Sequence, residues 1–271
     1  MEIITSRNNR SIIECTKLKD RKYRDETGLF FFEGKKLYEE AVKCNIKLIK
    51  IFYAEECSQF IESFQTDAEK ILVSDSVYEK ISDEKSPQGI FCVAKHIDKL
   101  HKYDKINGGI EFDFNIKGSG FFIAEGIRDP GNLGTILRTA SALGIDILLL
   151  SDDCADIYNP KTVRAGMGAI FRQRTLRLRD LASAVSLIRN MGIHVYAAAL
   201  DNNSVQISKI SKKDNGVCFA VGNEGHGLSK NLISACEKSI IIPMQNNCES
   251  LNVAAATTIL MWEQHKINSS K

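Results

Sequence analysis

An α/β fold follows from three features of the sequence. In the second half of the chain, apolar strand-like runs alternate with helix-like apolar stripes. The turns between them are rich in glycine, and residues 1–97 form a smaller unit of the same mixed kind. Strands alternating with helices imply a mostly parallel sheet with helices on both faces. Ligands of such sheets bind at the carboxyl ends of the strands.

The front unit opens on basic and polar residues, among them Arg7, Arg10, Lys17, Arg21 and Arg24. Residues 29–32 read as a strand. A helical pattern follows around Leu37, Ala41 and Val42, and 48–53 and 89–94 read as further strands. Residues 98–118 are polar, with Lys, Asp, Asn and Gly interspersed, and read as a linker holding one short strand. The domain spanning 119–271 offers strands at 121–124, 145–150, 194–199, 218–221 and 239–242. Its helices carry the stripes Leu133/Ile136/Leu137/Ala140, Leu181/Ala184/Val185/Ile188 and Val253/Ala256/Thr257/Leu260.

Composition narrows the class. The 271 residues suffice for two cores, and a net charge of +2 leaves room for a basic face without defining one. No apolar h-region follows Met1, and no run is long and apolar enough to cross a bilayer, so a soluble cytoplasmic protein is expected. The eight cysteines include no C-x-x-C pair and several lie in apolar runs, so they read as buried thiols in a reducing compartment. No histidine pair has metal-ligand spacing, and no metal is expected.

Three loops at strand ends could carry chemistry. Residues 125–134 make a tight Asp129-Pro-Gly turn into a helix bearing Asn132 and Arg138. An Arg flanking a buried stripe needs a partner, which is either structural or a substrate phosphate. Residues 221–229 form a Gly-rich turn that matches neither the dinucleotide fingerprint nor the P-loop. Glu224 within it would repel phosphate, which suits a neutral or cationic ligand; a plain turn using glycine for positive φ is the other reading. Residues 241–253 end a strand at Pro243 and lead into an alanine-rich helix, where Ser250 or Asn252 is by default an N-cap.

Taken together, these loops resemble the three motifs of the SpoU (TrmH-like) branch of the SPOUT RNA 2'-O-methyltransferases. Asp129-Pro-Gly-Asn-Leu-Gly134 through Arg138 and Gly144 resembles the first motif, 221–225 the second, and Ile242-Pro-Met with Ser250-Leu-Asn252 the third. A further family stretch is similar to 158–169, although it often has Ser where this chain has Gly166. The match covers residues 120–266. The front unit looks like the substrate-binding domain often fused to this family, a small α/β fold related to some ribosomal proteins. It does so through SRNNRSI, FFEGKKLYEEAV and SPQGIFCVA.

The resemblance implies a deep trefoil knot and a homodimer whose active site draws on both subunits. It implies S-adenosylmethionine as cofactor, in a pocket involving Ala199, Leu200, Gly222, Ile242 and Leu251. Arg138 takes the activating role, with Asn132, Glu224, Ser250 and Asn252 positioning it, the ribose and the cofactor. The reaction implied is methylation of a ribose 2'-OH in a structured RNA, with 23S-type ribosomal RNA expected ahead of transfer RNA. Arg7, Arg10, Lys17, Arg21 and Arg24 would then grip RNA backbone, against the plainer reading of a solvated helix face. A SPOUT base methyltransferase, a non-catalytic RNA-binding assembly factor and a nucleotide-binding oxidoreductase are the rival readings. The Arg138 and Ser250-Leu-Asn252 pairing favours the ribose over a ring nitrogen. The oxidoreductase lacks its fingerprint.

Overall fold

The computed structural model describes residues 3–97, 100–102 (backbone only), 120–201, 203–211, 214–223, 225–245 and 250–269. The chain forms two compact units. One comprises Met1–Asp98 with Asp156–Arg172, and the other Lys99–Ala155 with Gln173–Lys271.

In the first unit, α1 (Arg10–Lys17) starts at Asn9, whose side chain accepts from Ser11 N at 2.9 Å. Helix α2 (Arg21–Thr27) is capped by Asp20 and ended by Gly28 in the left-handed region at φ 65°. There follow β1 (Leu29–Glu33), α3 (Lys35–Lys43), β2 (Leu48–Tyr53), α4 (Ser58–Glu62), β3 (Glu69–Leu72), α5 (Asp75–Ile81) and β4 (Ile90–Lys95). The sheet runs β1-β4-β2-β3, with β4 antiparallel to both neighbours and β2 parallel to β3. One face packs Ile12, Leu18, Phe31, Phe52, Val77 and Phe91 into a core, with Phe31 and Phe91 stacked at 4.8 Å.

The second unit holds β5 (Leu100–Lys102), β6 (Phe121–Ala124), α6 (Pro130–Ala142) and β7 (Ile147–Ser151). The chain then supplies α7 (Pro160–Ala165) to the first unit before β8 (Arg174–Leu178) and α8 (Leu181–Asn190). It closes with β9 (His194–Ala198), β10 (Val205–Gln206), β11 (Val217–Val221), α9 (Lys230–Ala235), β12 (Lys238–Ile241) and α10 (Val253–Ser269). Among the described residues the sheet is eight-stranded, ordered β10-β12-β9-β11-β6-β7-β8-β5, and every pairing is parallel. Its apolar strands β6, β7 and β11 are buried throughout, as a parallel sheet covered on both faces requires.

Differences from the sequence reading have physical reasons. Strand β8 (RTLRL) is not anticipated because arginines interrupt its apolar residues. Arg177 escapes the penalty by donating to the carbonyls of Asp152, Cys154 and Ala155 at 3.3, 3.1 and 2.6 Å. Helix α10 runs nine residues past the Leu260 that ends its apolar stripe. Its later inward positions are polar but serve the sheet: Gln264 accepts from Phe219 N at 3.0 Å and donates to Phe121 O at 2.7 Å. Asn268 likewise pairs both backbone groups of Val217 at 2.9 and 3.0 Å. Most of the expected linker lies outside the described residues, apart from β5.

Segment 156–172 is bound to the front unit by polar and aromatic contacts. Buried Arg24 donates to the carbonyls of Leu18 and Lys19 at 2.7 and 2.9 Å and to the Asp156 carboxylate at 2.6 Å. The Tyr158 ring stacks on His96 at 4.0 Å, and its hydroxyl accepts from Ile97 N at 2.7 Å. Arg164 pairs with Glu84 at 2.8 Å, and Arg172 pairs with Glu40. The described cysteines are free thiols, and among the described residues no helix is long and apolar enough to cross a membrane.

Candidate active site

Neighbouring strands β12, β9, β11 and β6 all point their carboxyl ends the same way, so the loops that follow them emerge side by side. Those after β6, β11 and β12 are the loops singled out from the sequence, and the parallel topology alone groups them.

The first loop ends at Asp129, whose carboxylate accepts from Asn132 N at 2.8 Å, while Pro130 occupies the first helical turn. This start places Asn132 in the first turn of α6 and Arg138 farther along. Asn132 Oδ1 accepts from the Asn252 side-chain amide at 3.2 Å, which joins the first motif to the third. Asn252 is also the cap of α10. Its Oδ1 accepts from Ala254 N and Ala255 N at 2.9 and 3.3 Å, so one side chain caps α10 while its amide reaches the first loop. Thr139 and Thr258, 3.4 Å apart, continue the contact between α6 and α10. Arg138 is exposed and makes no hydrogen bond or ion pair with the described residues. Ser250 lies on the surface two residues before Asn252.

The second loop turns back on itself: Asn223 N donates to Gly227 O at 3.1 Å, and Gly227 N to Asn223 O at 2.9 Å. A Cβ at Gly222 would come within 2.2 Å of the Gly227 carbonyl carbon, so only glycine permits this closure. Glu224 lies outside the described residues. Ala199, at the end of β9, donates to Ile240 O at 3.2 Å. Beyond it Leu200 is 88% exposed, and Met244 and Leu251 on the third loop are 42% and 38% exposed. Ile242 is half-buried. Exposed apolar side chains and backbone groups on adjoining loops fit an adenosyl and methionyl ligand, whose carbon surface would cover them. Among the described residues no group of His, Cys, Asp or Glu could hold a metal ion.

Some contacts carry no role in the sequence reading although their residues stand within the motifs. Glu125 Oε2 and Oε1 accept from Ser229 N and Oγ at 2.7 and 2.8 Å. The Asn223 side chain donates to Gly126 O at 2.8 Å and accepts from Gly225 N at the same distance. Carboxylate-to-serine spacing across 104 residues leaves no local sequence signal. Cys154, buried beneath this region, has its thiol pKa raised by desolvation, which makes it an inert packing group.

The basic residues at the front divide. Arg7, Arg10, Lys17 and Arg21 are exposed. Arg24 is 2% exposed and bonds Asp156 and two carbonyls through its terminal nitrogens, so its expected phosphate contact is withdrawn in favour of a structural role. Sequence alone could not separate it from its neighbours, because helix phase decides which one points inward.

Comparison with known proteins gives a consistent result. Residues 120–262 match the model of the SpoU rRNA Methylase family, and residues 9–92 match the MRM3-like substrate binding domain. The chain is 30% identical over 264 residues to the Bacillus subtilis "23S rRNA (guanosine(2553)-2'-O)-methyltransferase RlmP", covering 97% of this chain and 98% of that one. A crystal structure of an rRNA methyltransferase from Sinorhizobium meliloti superposes with a TM-score of 0.84 at 28% identity, covering 98% and 97% of the two chains. A structure of the AdoMet-bound rRNA methyltransferase from the same organism gives 0.81 at 27% identity, with the same coverage. The strand-end loops, the parallel sheet and these matches agree: the chain belongs to the SpoU rRNA methylase family, with an MRM3-like substrate-binding domain in front.

Proposed function

We propose that this protein methylates a ribose 2'-hydroxyl of ribosomal RNA, using S-adenosylmethionine, as a cytoplasmic homodimer. The observation that carries the reading is the Asn132–Asn252 hydrogen bond, which joins first and third motifs on the helix bearing Arg138, exposed and unengaged among the described residues. The 30% identity to a 23S ribosomal 2'-O-methyltransferase over nearly the whole chain favours ribosomal RNA over transfer RNA.

The cofactor, when bound, would supply a sulfonium methyl group that the ribose 2'-oxygen takes in line as the S–CH3 bond breaks to leave a neutral thioether, the hydroxyl proton passing to a phosphate oxygen or water. Ala199, Leu200, Gly222, Ile242 and Leu251 hold the cofactor, largely through backbone groups and apolar contact. A guanidinium offers donors and no acceptor, so Arg138 acts as a cation and not as a base. It stabilises the developing alkoxide and orients the adjoining phosphate. Asn132, Asn252, Ser250 and Glu224 position Arg138, the ribose and the cofactor. Exposed Arg7, Arg10, Lys17 and Arg21 contact RNA backbone, which makes binding weaken steeply with salt.

The homodimer is supported by Ile259 and Trp262, 38% and 50% exposed on α10, the helix that packs on α6. The trefoil knot belongs to the same proposal and is supported by family membership. The cytoplasmic location is supported by the free thiols of the described cysteines.

The decisive experiment incubates the protein with methyl-labelled S-adenosylmethionine and, separately, unmodified ribosomal and transfer RNA. Alkali-resistant labelled dinucleotides from ribosomal RNA are expected, because a 2'-O-methyl blocks cleavage at that bond. Label in alkali-sensitive products would assign a base instead. Sedimentation equilibrium should give a dimer that Trp262→Glu weakens at least about tenfold, from the cost of burying a charge at an apolar contact. A monomeric wild type removes the two-subunit site.

A further inference from the structure

We propose that Glu125 is a positioning residue for methyl transfer. Its carboxylate, with the Asn223 amide, locks the loop after β11 to the loop that launches α6, so the cofactor-binding backbone and Arg138 stay aligned. The inference rests on the functional reading above and adds a residue and a device to it.

Glu125 directly follows β6, and its amide extends the β6–β11 ladder by donating to Val221 O at 2.9 Å. Its two carboxylate oxygens each take one donor from Ser229, at 2.7 and 2.8 Å. Ser229 already begins α9 with its own hydroxyl, which accepts from Leu232 N at 3.3 Å. The helix start therefore does not need Glu125. What the carboxylate determines is where that start sits. At the other end of the same loop, Asn223 donates to Gly126 O at 2.8 Å and gathers the amides of Gly225 and His226 at 2.8 and 3.2 Å. Residues 125 and 126 thus hold both ends of the loop that contains Gly222.

The holding residues are themselves braced from the opposite side. Gly126 N donates to Ser151 Oγ at 2.8 Å, and Ile127 N to Cys154 Sγ at 3.3 Å. Ile127 O accepts from Ala155 N at 2.7 Å, within the segment whose carbonyls Arg177 collects. Gly126 has φ 67°, a conformation that favours glycine, and a Cβ there would sit 3.3 Å from Asn223 Cβ, so a side chain would be strained and would press on the facing loop. The chain then passes without interruption from Ile127 to the Asp129 cap of α6, and so to Asn132 and Arg138. A reaction whose rate depends on alignment to within about 1 Å loses on the order of 100-fold when such a frame slackens.

The test compares Glu125→Ala, Glu125→Gln, Ser229→Ala and the Glu125→Ala/Ser229→Ala pair. A glutamine can still accept from Ser229 N while donating to its hydroxyl, so it preserves the clamp without the charge. Glu125→Ala is expected to lower kcat about 10- to 100-fold while the cofactor Kd stays within about threefold. Glu125→Gln should recover to within about threefold of wild type, and the double variant should lose less than the product of the two single losses, since Glu125→Ala already removes the hydroxyl contact that Ser229→Ala breaks. Wild-type turnover in folded Glu125→Ala would overturn the proposal. So would a Glu125→Gln as slow as the alanine variant, or losses that multiply in the double variant. Amide hydrogen exchange supplies a readout independent of turnover. Exchange across 225–229 should accelerate in Glu125→Ala while 147–151 stays protected, and unchanged exchange there would also overturn the clamp. Absence of methyl transfer by the wild type would instead sink the functional reading and leave the exchange result to judge the clamp.

Discussion

Arg138 and Glu33 show how single side chains carry opposite electrostatic demands. Arg138 is exposed and unengaged among the described residues, a state that suits a cation awaiting an anionic centre. Arg138→Ala is expected to cost about 100- to 1,000-fold in kcat, the scale of losing one donor to a developing oxyanion. Calorimetry should find cofactor affinity little changed, and near-normal turnover would remove Arg138 from its role. Glu33, 8% exposed on β1, accepts from Ser82 Oγ and Asp83 N at 2.5 and 2.7 Å. Burial nevertheless raises its carboxyl pKa above the ordinary 4.5, an effect the hydrogen bonds only partly oppose and to which neighbouring Glu84 and Asp83 add. A raised folded-state pKa means the folded protein binds this proton more tightly than the unfolded chain does. The stabilisation is complete below the unfolded pKa and disappears as pH rises through the folded value. Glu33→Gln cannot ionise, so its stability relative to wild type should improve from pH 4 toward neutrality. Urea unfolding across that range measures the difference, and a gap that is flat or of opposite slope contradicts the assignment.

At the scale of elements, the site is made by where helices start. Asp129 and Pro130 begin α6 so that Asn132 lies in its first turn, and Asn252 begins α10 so that its amide reaches Asn132. Asn252→Ala removes both the cap and that bond, and should lose about 1 kcal/mol of stability along with activity. Asn252→Ser retains a capping oxygen but cannot reach Asn132 in the same way. Its melting temperature should return toward wild type while kcat remains low. Recovery of both together would mean that Asn252 acts only as a cap. Much of this element structure was legible in the sequence. Strands β2 and β6 have the bounds their apolar runs indicate, and α8 begins at the first residue of its stripe and ends before Gly192. Strand β8 and the far half of α10 were not legible, because Arg177, Gln264 and Asn268 bury polar groups against partners that lie elsewhere in the chain.

For the molecule as a whole, the partition into units departs from chain order. Segment 156–172 leaves the parallel sheet after β7 and joins the front unit through the Arg24–Asp156 pair, whose side chains are 3% and 12% exposed. Asp156→Asn leaves a buried guanidinium without its counter-charge. It should cost about 3–5 kcal/mol, read as a lower midpoint in urea unfolding. A loss under about 1 kcal/mol would show the pair to be dispensable.

The sequence by itself determined the fold class, because helical and strand periodicities are local and survive without knowledge of any partner. It also determined the three loops, since glycines, prolines and caps act within a few residues, and all three lie within the residues that match the SpoU family. The tertiary structure alone decided which side chains meet. Only the parallel order β12-β9-β11-β6 sets those loops side by side. Only packing turned Arg24 inward and left Arg138 outward, and only folding brought Glu125 to Ser229 across 104 residues. Contacts of that kind depend on helix phase and sheet order, which emerge when the whole core is buried and are written in no single stretch of the chain.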